Sequence, residues 1–164
     1  MLDFPFPFLY NGEKQKGFDI DMALTHGDLI LFLGDSITDC GRSRENTDDL
    51  GPGYPRLAAS ALSVLRADLS LRFLNRGISG DRTIDVLNRL EEDCLALKPA
   101  LLSILLGIND VWHRQENHGC TDEELEENYT KILTRVRETL GDIPIIMLEP
   151  YLTPDHTTKM TREE

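Results

Sequence analysis

The sequence has 164 residues, of which 40% are hydrophobic, and a formal net charge of −12 at pH 7. This length predicts a single domain with its own core, and the acidic balance argues against nucleic acid or an anionic membrane as a partner, because both require a basic surface. No stretch approaches the ~20 apolar residues of a membrane helix, and the first residues lack a signal-peptide pattern. Cys40, Cys94 and Cys120 show no metal-like spacing, which predicts reduced thiols in a cytoplasmic protein.

Residues 1–28 are predicted to be an N-terminal extension. Residues 4–8 alternate phenylalanine and proline, a pattern that excludes a helix or a central strand. We expect this segment to lie as an extended arm on the protein's own core edge or on a second subunit, so a homo-oligomer remains open. Residues 29–164 are predicted to form one α/β domain.

The apolar run 29–33 ends in Gly-Asp-Ser-Ile-Thr at positions 34–38. A short, continuous apolar run is typical of a strand buried on both faces of a parallel sheet. Ligands of open α/β sheets bind at the carboxyl ends of the strands, so Ser36 is a candidate nucleophile. The same residues are also compatible with an ordinary helix-capping turn or with a hydroxyl-rich phosphate cradle of the flavodoxin kind.

Strands and helices are predicted to alternate along the rest of the chain, after a long polar loop at 39–53. Three further apolar runs predict strands at 71–74, 100–106 and 144–148. Helical spacing predicts a helix before each of them, with the apolar faces Leu57, Ala58, Ala61, Leu62 and Leu65; Ile84, Leu87, Leu90 and Cys94; and Leu125, Tyr129, Ile132, Leu133, Val136 and Leu140. Thr121 and Glu124 form a capping-box pattern at the start of the last helix. This alternation predicts a three-layer α/β/α sandwich with a parallel sheet.

Polar turns follow the first three predicted strands and would meet at one edge of a parallel sheet. Ser36 supplies a hydroxyl that can attack a carbonyl carbon. Gly80 offers a backbone N–H without a side chain, and Asn109 offers an uncharged amide donor. Together with the Ser36 N–H, these two donors would form an oxyanion hole.

Three short blocks, at 34–38, 75–80 and 107–110, resemble in order and spacing the first three blocks of the SGNH hydrolase (GDSL esterase/lipase) family. The resemblance covers about residues 28–150. It implies a flavodoxin-like sandwich and serine-dependent ester hydrolysis that needs no metal or organic cofactor. It also implies that Ser36 is the nucleophile and that Gly80 and Asn109 are oxyanion donors.

The residues 77–83 and 107–112 look most like those of carbohydrate acetylesterases, including enzymes that act on xylo-oligosaccharides. This resemblance implies a small-molecule ester as the substrate. Trp112 is then either a platform on which a sugar stacks or an aromatic residue at the rim of the site.

The family's general base is a histidine three residues after an aspartate, in a last block near the C-terminus. We expect this chain to have no Asp-x-x-His block, since Asp155 and His156, after the fourth strand, are adjacent rather than three residues apart. We therefore expect the fifth strand and last helix to be missing and the chain to be C-terminally incomplete or degenerate. The leading prediction is a serine ester hydrolase that removes acetyl or other short acyl groups. The alternatives are a non-catalytic ligand-binding module of the same fold and, with less support, a flavin- or phosphate-binding relative of flavodoxin.

Overall fold

The computed structural model describes residues 24–112 and 119–150 of the chain. Within these ranges the strands are β1 (Leu29–Gly34), β2 (Arg72–Gly77), β3 (Leu101–Leu105) and β4 (Ile145–Leu148). The α-helices are α1 (Ser36–Asp39), α2 (Tyr54–Leu65), α3 (Thr83–Asp93), α4 (Ile108–Trp112) and α5 (Asp122–Leu140). The regular alternation of strands and helices confirms the predicted α/β class.

The four strands form one sheet in the order β2-β1-β3-β4, and every neighbouring pair is parallel. β1 lies between two partners, with Leu31 opposite Leu74 on one side and Leu102 on the other. All six residues of β1 are buried, as its continuous apolar run predicts. Because the strands are parallel, the carboxyl ends of β1, β2 and β3 lie at the same edge of the sheet.

Helices cover both faces of the sheet, which confirms the predicted layers. On one face, α3 and α5 pack against alternate residues of β1 and β3, and the buried side chains there include Leu31, Leu33, Val86, Leu90, Leu102, Ile104, Ile132 and Val136. On the other face, α2 packs against Ile30, Phe32 and Leu101. Leu24, which lies within the predicted N-terminal extension, is buried in this second cluster.

α2 buries only part of the predicted stripe: Ala58 and Leu62 are partly buried and pack against this second cluster. The buried residues of the helix are Pro55 and Ala59, whereas Leu57 and Leu65 are 70% and 74% exposed. Apolar residues at helical spacing extend beyond the buried stripe, so periodicity alone could not decide which of them face the sheet.

β2 extends three residues further than its apolar run predicts, because Asn75 occupies a fully buried strand position. Its Nδ2 donates to the carbonyls of Thr38 at 2.7 Å and Leu50 at 2.9 Å, and its Oδ1 accepts from the Gly77 N–H at 2.8 Å. Because both polar atoms of this amide have hydrogen-bond partners, its burial leaves no polar group unpaired. Residues 75–77, which the sequence predicts as the polar start of a turn, therefore form the end of β2.

The capping box of α5 forms as predicted. The Glu124 N–H donates to Thr121 Oγ1 at 3.2 Å, and the Thr121 N–H donates to Glu124 Oε2 at 2.8 Å. The helix ends at Leu140, before Gly141 with a φ of 72°. In the part of the chain that the structure describes, neither this helix nor any other is long and apolar enough to cross a membrane.

The three cysteines are free thiols, as predicted. Cys94 is fully buried in the core, and burial raises the pKa of its thiol to about 12. Its thiol therefore stays protonated and unreactive at neutral pH.

Candidate active site

Ser36 is exposed at the carboxyl end of β1, where it forms the first residue of the short helix α1. Asp35 precedes it and caps this helix, since its Oδ1 accepts from the Ile37 N–H at 2.9 Å. The Asp35 side chain is fully buried. Burial raises the pKa of this carboxyl, and the negative charges of Asp110 and Asp81 raise it further, against the effect of the Ile37 hydrogen bond.

α1 lies directly against the ends of the central strands, which only glycine allows. A Cβ at Gly34 would lie 2.5 Å from the carbonyl oxygen of Leu105, and a Cβ at Gly77 would lie 2.7 Å from the carbonyl carbon of Thr38. Both obstacles are backbone atoms that cannot rotate away. Gly77 therefore sets how closely the helix that carries Ser36 approaches β2, and Gly34 lets the end of β1 lie close to the Leu105 carbonyl of β3.

We expect Gly77→Ala to destabilise the fold by about 3 kcal/mol, because the added methyl group must displace α1. Urea unfolding measures this loss. Gly27→Ala is the control, since its Cβ meets nothing within 4 Å and only its φ of 83° is strained, at a cost of about 1–2 kcal/mol. An equal decrease in the free energy of unfolding in the two variants would show that α1 can move away from β2 without loss of stability.

Gly80 lies in the turn between β2 and α3, and both of its neighbours are held by other blocks of the site. Ser79 donates from its N–H and its hydroxyl to Asp39 Oδ2, at 3.0 and 2.9 Å. On the other side, Asn109 Nδ2 donates to the carbonyl of Asp81 at 2.9 Å. The turn that carries Gly80 is therefore fastened to the Ser36 helix on one side and to the Asn109 turn on the other.

The donors expected to form an oxyanion hole remain available. Among the described residues, the N–H groups of Ser36 and Gly80 donate to no protein acceptor, and Asn109 uses one of its two amide hydrogens. Gly80 has a φ of 89°, and a Cβ there would meet nothing within 4 Å. Glycine is required at this position by its backbone conformation, and the space beside it is open.

Asp39 is the carboxylate that joins α1 to this turn. Burial by itself would raise its pKa, but the hydrogen bonds from Ser79 and the charge of Arg44, whose Nη2 lies 2.9 Å from Oδ2, bring the pKa below the usual value. Asp39 is therefore ionised at neutral pH and can accept all three hydrogen bonds.

Asp110 supports the turn that carries Asn109, a role that the sequence alone does not predict. Its fully buried carboxylate accepts from the N–H of Thr83 at 3.0 Å, from the Thr83 hydroxyl at 2.6 Å and from Cys120 Sγ at 3.2 Å. Asn128 of α5 donates to the same Thr83 hydroxyl at 3.2 Å. Asp110 thus ties α4 to the start of α3 and to the segment before α5.

The loop between α1 and α2 is anchored by hydrogen bonds to neighbouring elements. Arg42 donates to the carbonyl of Gly77 at 3.1 Å, Asn75 donates to that of Leu50, and Arg56 donates to that of Gly51 at 2.8 Å. The prediction of a long polar loop near Ser36 is confirmed. These hydrogen bonds anchor both ends of the loop to β2 and α2.

Among the described residues, no histidine that could act as the general base lies at this edge of the sheet. His26 is the one histidine in the described ranges, and it precedes β1 whereas Ser36 follows it, so the two are about 20 Å apart. His113, His118 and His156 lie outside the described residues. Asp110 and His113 have the Asp-x-x-His spacing, so the expectation that this chain lacks that spacing is wrong.

Comparison with known proteins decides the family. The model of the GDSL-like lipase/acylhydrolase family matches residues 32–164. The chain belongs to this family. The matched region contains Ser36 in the first block of the GDSL-like proteins, together with the two later turns that the sheet brings beside it.

The relatives of this GDSL-like chain include esterases. An acetylxylan esterase of Geobacillus stearothermophilus is 41% identical over 137 residues, which is 79% of this chain and 63% of the relative. The crystal structure of Axe2, an acetylxylan esterase from the same organism, superimposes with a TM-score of 0.69 at 34% identity, covering 77% of this chain and 61% of that one. A hydrolase from the metagenome of Lake Arreo, Spain, gives a TM-score of 0.72 at 30% identity and 79% and 63% coverage.

Two further solved structures are catalytic mutants of Axe2, in which either a histidine or the aspartate three residues before it is replaced by alanine. This GDSL-like chain spans less than two thirds of the length of these relatives. A histidine and the aspartate three residues before it are thus catalytic in Axe2, and the described residues of this chain contain no such pair.

Proposed function

We propose that this chain carries the nucleophile and oxyanion hole of a serine ester hydrolase that removes acetyl or other short acyl groups from a carbohydrate or small ester. The observation that carries the proposal is the convergence of Ser36, Gly80 and Asn109 at one edge of the sheet. Hydrogen bonds through Asp39 and Asp81 hold the three together. Membership of a lipase/acylhydrolase family supports the same reaction class.

The reaction proceeds in two steps through the side chain of Ser36. Its Oγ attacks the ester carbonyl carbon, and the N–H groups of Ser36 and Gly80 and the amide of Asn109 bind the oxyanion that forms. The alcohol leaves with a proton, and water then hydrolyses the acyl-enzyme. A histidine outside the described ranges acts as base for Ser36 and then as acid for the leaving alcohol.

A short acyl group on a neutral alcohol is the substrate class that this chain supports best. The acetylxylan esterase relatives act on acetylated xylan or xylo-oligosaccharides by name. The net charge of −12 makes an anionic lipid surface a poor partner. Trp112, at the end of α4 and half-buried, is proposed as the surface on which a sugar ring stacks. A cytoplasmic location and a homo-oligomer stay predictions.

The test is a panel of esters measured with the purified chain. We expect release of acetate from acetylated xylo-oligosaccharides and hydrolysis of p-nitrophenyl acetate, with little hydrolysis of p-nitrophenyl palmitate. Preference for the palmitate would overturn the proposed substrate class. Retention of the acetylated sugar on the protein without acetate release would instead identify a binding module and refute the proposed hydrolysis.

A further inference from the structure

Arg89 of α3 makes four contacts directly beneath the proposed site, although it lies outside all three sequence blocks. Its guanidinium donates from Nε to Asp81 Oδ2 at 2.7 Å, from Nη1 to the Arg76 carbonyl at 2.8 Å and to Asp93 Oδ2 at 2.9 Å, and from Nη2 to the Gly34 carbonyl at 3.2 Å. The side chain is only 14% exposed. Its donors are therefore engaged by the protein rather than by water.

These partners belong to separate parts of the site. Gly34 ends the strand that carries Ser36, and its carbonyl lies two residues before the nucleophile. Asp81 directly follows Gly80, and its own carbonyl accepts the hydrogen bond from Asn109. The Arg89 guanidinium therefore contacts the backbone just before Ser36. It also contacts the turn that carries Gly80 and that accepts the hydrogen bond from Asn109.

We propose that Arg89 is a positioning residue for the oxyanion hole. It sets the spacing between the Ser36 N–H, the Gly80 N–H and the Asn109 amide by holding the ends of β1 and β2 and the turn after β2 as one unit. A guanidinium is suited to this role because its donors point in fixed directions, whereas a lysine ammonium concentrates its donors at one point. The inference rests on the proposed esterase function.

The chemical consequence is a loss in the rate of acyl transfer rather than in substrate binding. The donors of an oxyanion hole act where charge develops in the transition state, and displacing one by about 1 Å costs about 10- to 100-fold. We therefore expect Arg89→Lys and Arg89→Met to lower kcat by about 10- to 100-fold with KM changed less than about twofold.

The experiment compares these variants with Arg135→Met as a matched control. Arg135 also donates from Nη1 to a backbone carbonyl of α3, that of Leu87, and from Nη2 to a carboxylate of α3, that of Glu91, but it lies away from the site. Asp81→Asn supplies a milder variant, since it keeps an acceptor for Arg89 and removes only the charge. Hydrolysis of p-nitrophenyl acetate is measured for each variant, alone and combined with Asn109→Ala.

If Arg89 acts through the oxyanion hole, its substitution lowers kcat much less in the Asn109→Ala background, because one of the donors that it positions is already absent. An undiminished loss there, or a loss no larger than that of Arg135→Met, overturns the inference. A second measurement does not depend on turnover: the ¹⁵N–¹H signals of the Gly80 N–H and the Asn109 side chain should shift in Arg89→Met but not in Arg135→Met. Unshifted signals refute the positioning role, whereas hydrolysis that persists in Ser36→Ala refutes only the proposed function.

Discussion

Replacing Ser36 by alanine is expected to abolish ester hydrolysis and to leave the fold intact. Loss of the nucleophile in a serine hydrolase typically lowers kcat by about 10³-fold or more, because no covalent intermediate can form. Ser36 is exposed, so its hydroxyl contributes little to stability, and the free energy of unfolding should change by less than about 0.5 kcal/mol. Steady-state hydrolysis of p-nitrophenyl acetate and urea unfolding of the same sample measure the two effects.

The matched control is Ser63→Ala, which removes another exposed serine, from α2 and away from the site. It should keep the rate of the unchanged chain. Residual hydrolysis in Ser36→Ala at the rate of the Ser63→Ala control would mean that another group performs the reaction, and the assignment of Ser36 would be withdrawn.

The second large effect is expected on stability. Asp110→Ala removes the acceptor of the Thr83 N–H and hydroxyl and of the Cys120 thiol, in a fully buried place that water cannot reach. A buried donor left unpaired costs about 1–3 kcal/mol, so the loss of both Thr83 partners should lower the free energy of unfolding by about 3 kcal/mol or more. Asp110→Asn keeps one acceptor oxygen and should lose less. Urea unfolding at neutral pH ranks the variants.

Glu126→Ala is the control for this ranking, because it removes an exposed carboxylate from α5. Its effect should stay within about 0.5 kcal/mol. If Asp110→Ala were no less stable than this control, the hydrogen bonds of Asp110 would not hold α3, α4 and the start of α5 together.

The parts of the fold that depend on local sequence were predictable. β1 is one continuous apolar run, and α5 begins at a capping box formed by residues three positions apart. The order of strands and turns also placed Ser36, Gly80 and Asn109 at one edge, since parallel strands end on the same side. Each of these predictions needed only neighbouring residues or the topology of a parallel sheet.

The support of the site was not predictable, because it comes from contacts between residues far apart in the chain. Arg89 meets Gly34 across 55 positions, and Thr83 meets Asp110 across 27. In the sequence, Arg89 is an ordinary charged residue of an amphipathic helix. Asn75 appeared to start a turn for the same reason, since the carbonyls that its amide satisfies belong to Thr38 and Leu50.

The central claim is that Ser36 is the nucleophile of this sheet edge, and covalent labelling tests it most directly. The chain is incubated with a fluorophosphonate, which transfers its phosphonyl group to an activated serine with loss of fluoride, and is then digested and examined by mass spectrometry. The account predicts one phosphonyl group per chain, on the peptide that contains Ser36, and none in Ser36→Ala. A label on another serine, or equal labelling of the Ser36→Ala chain, would contradict it.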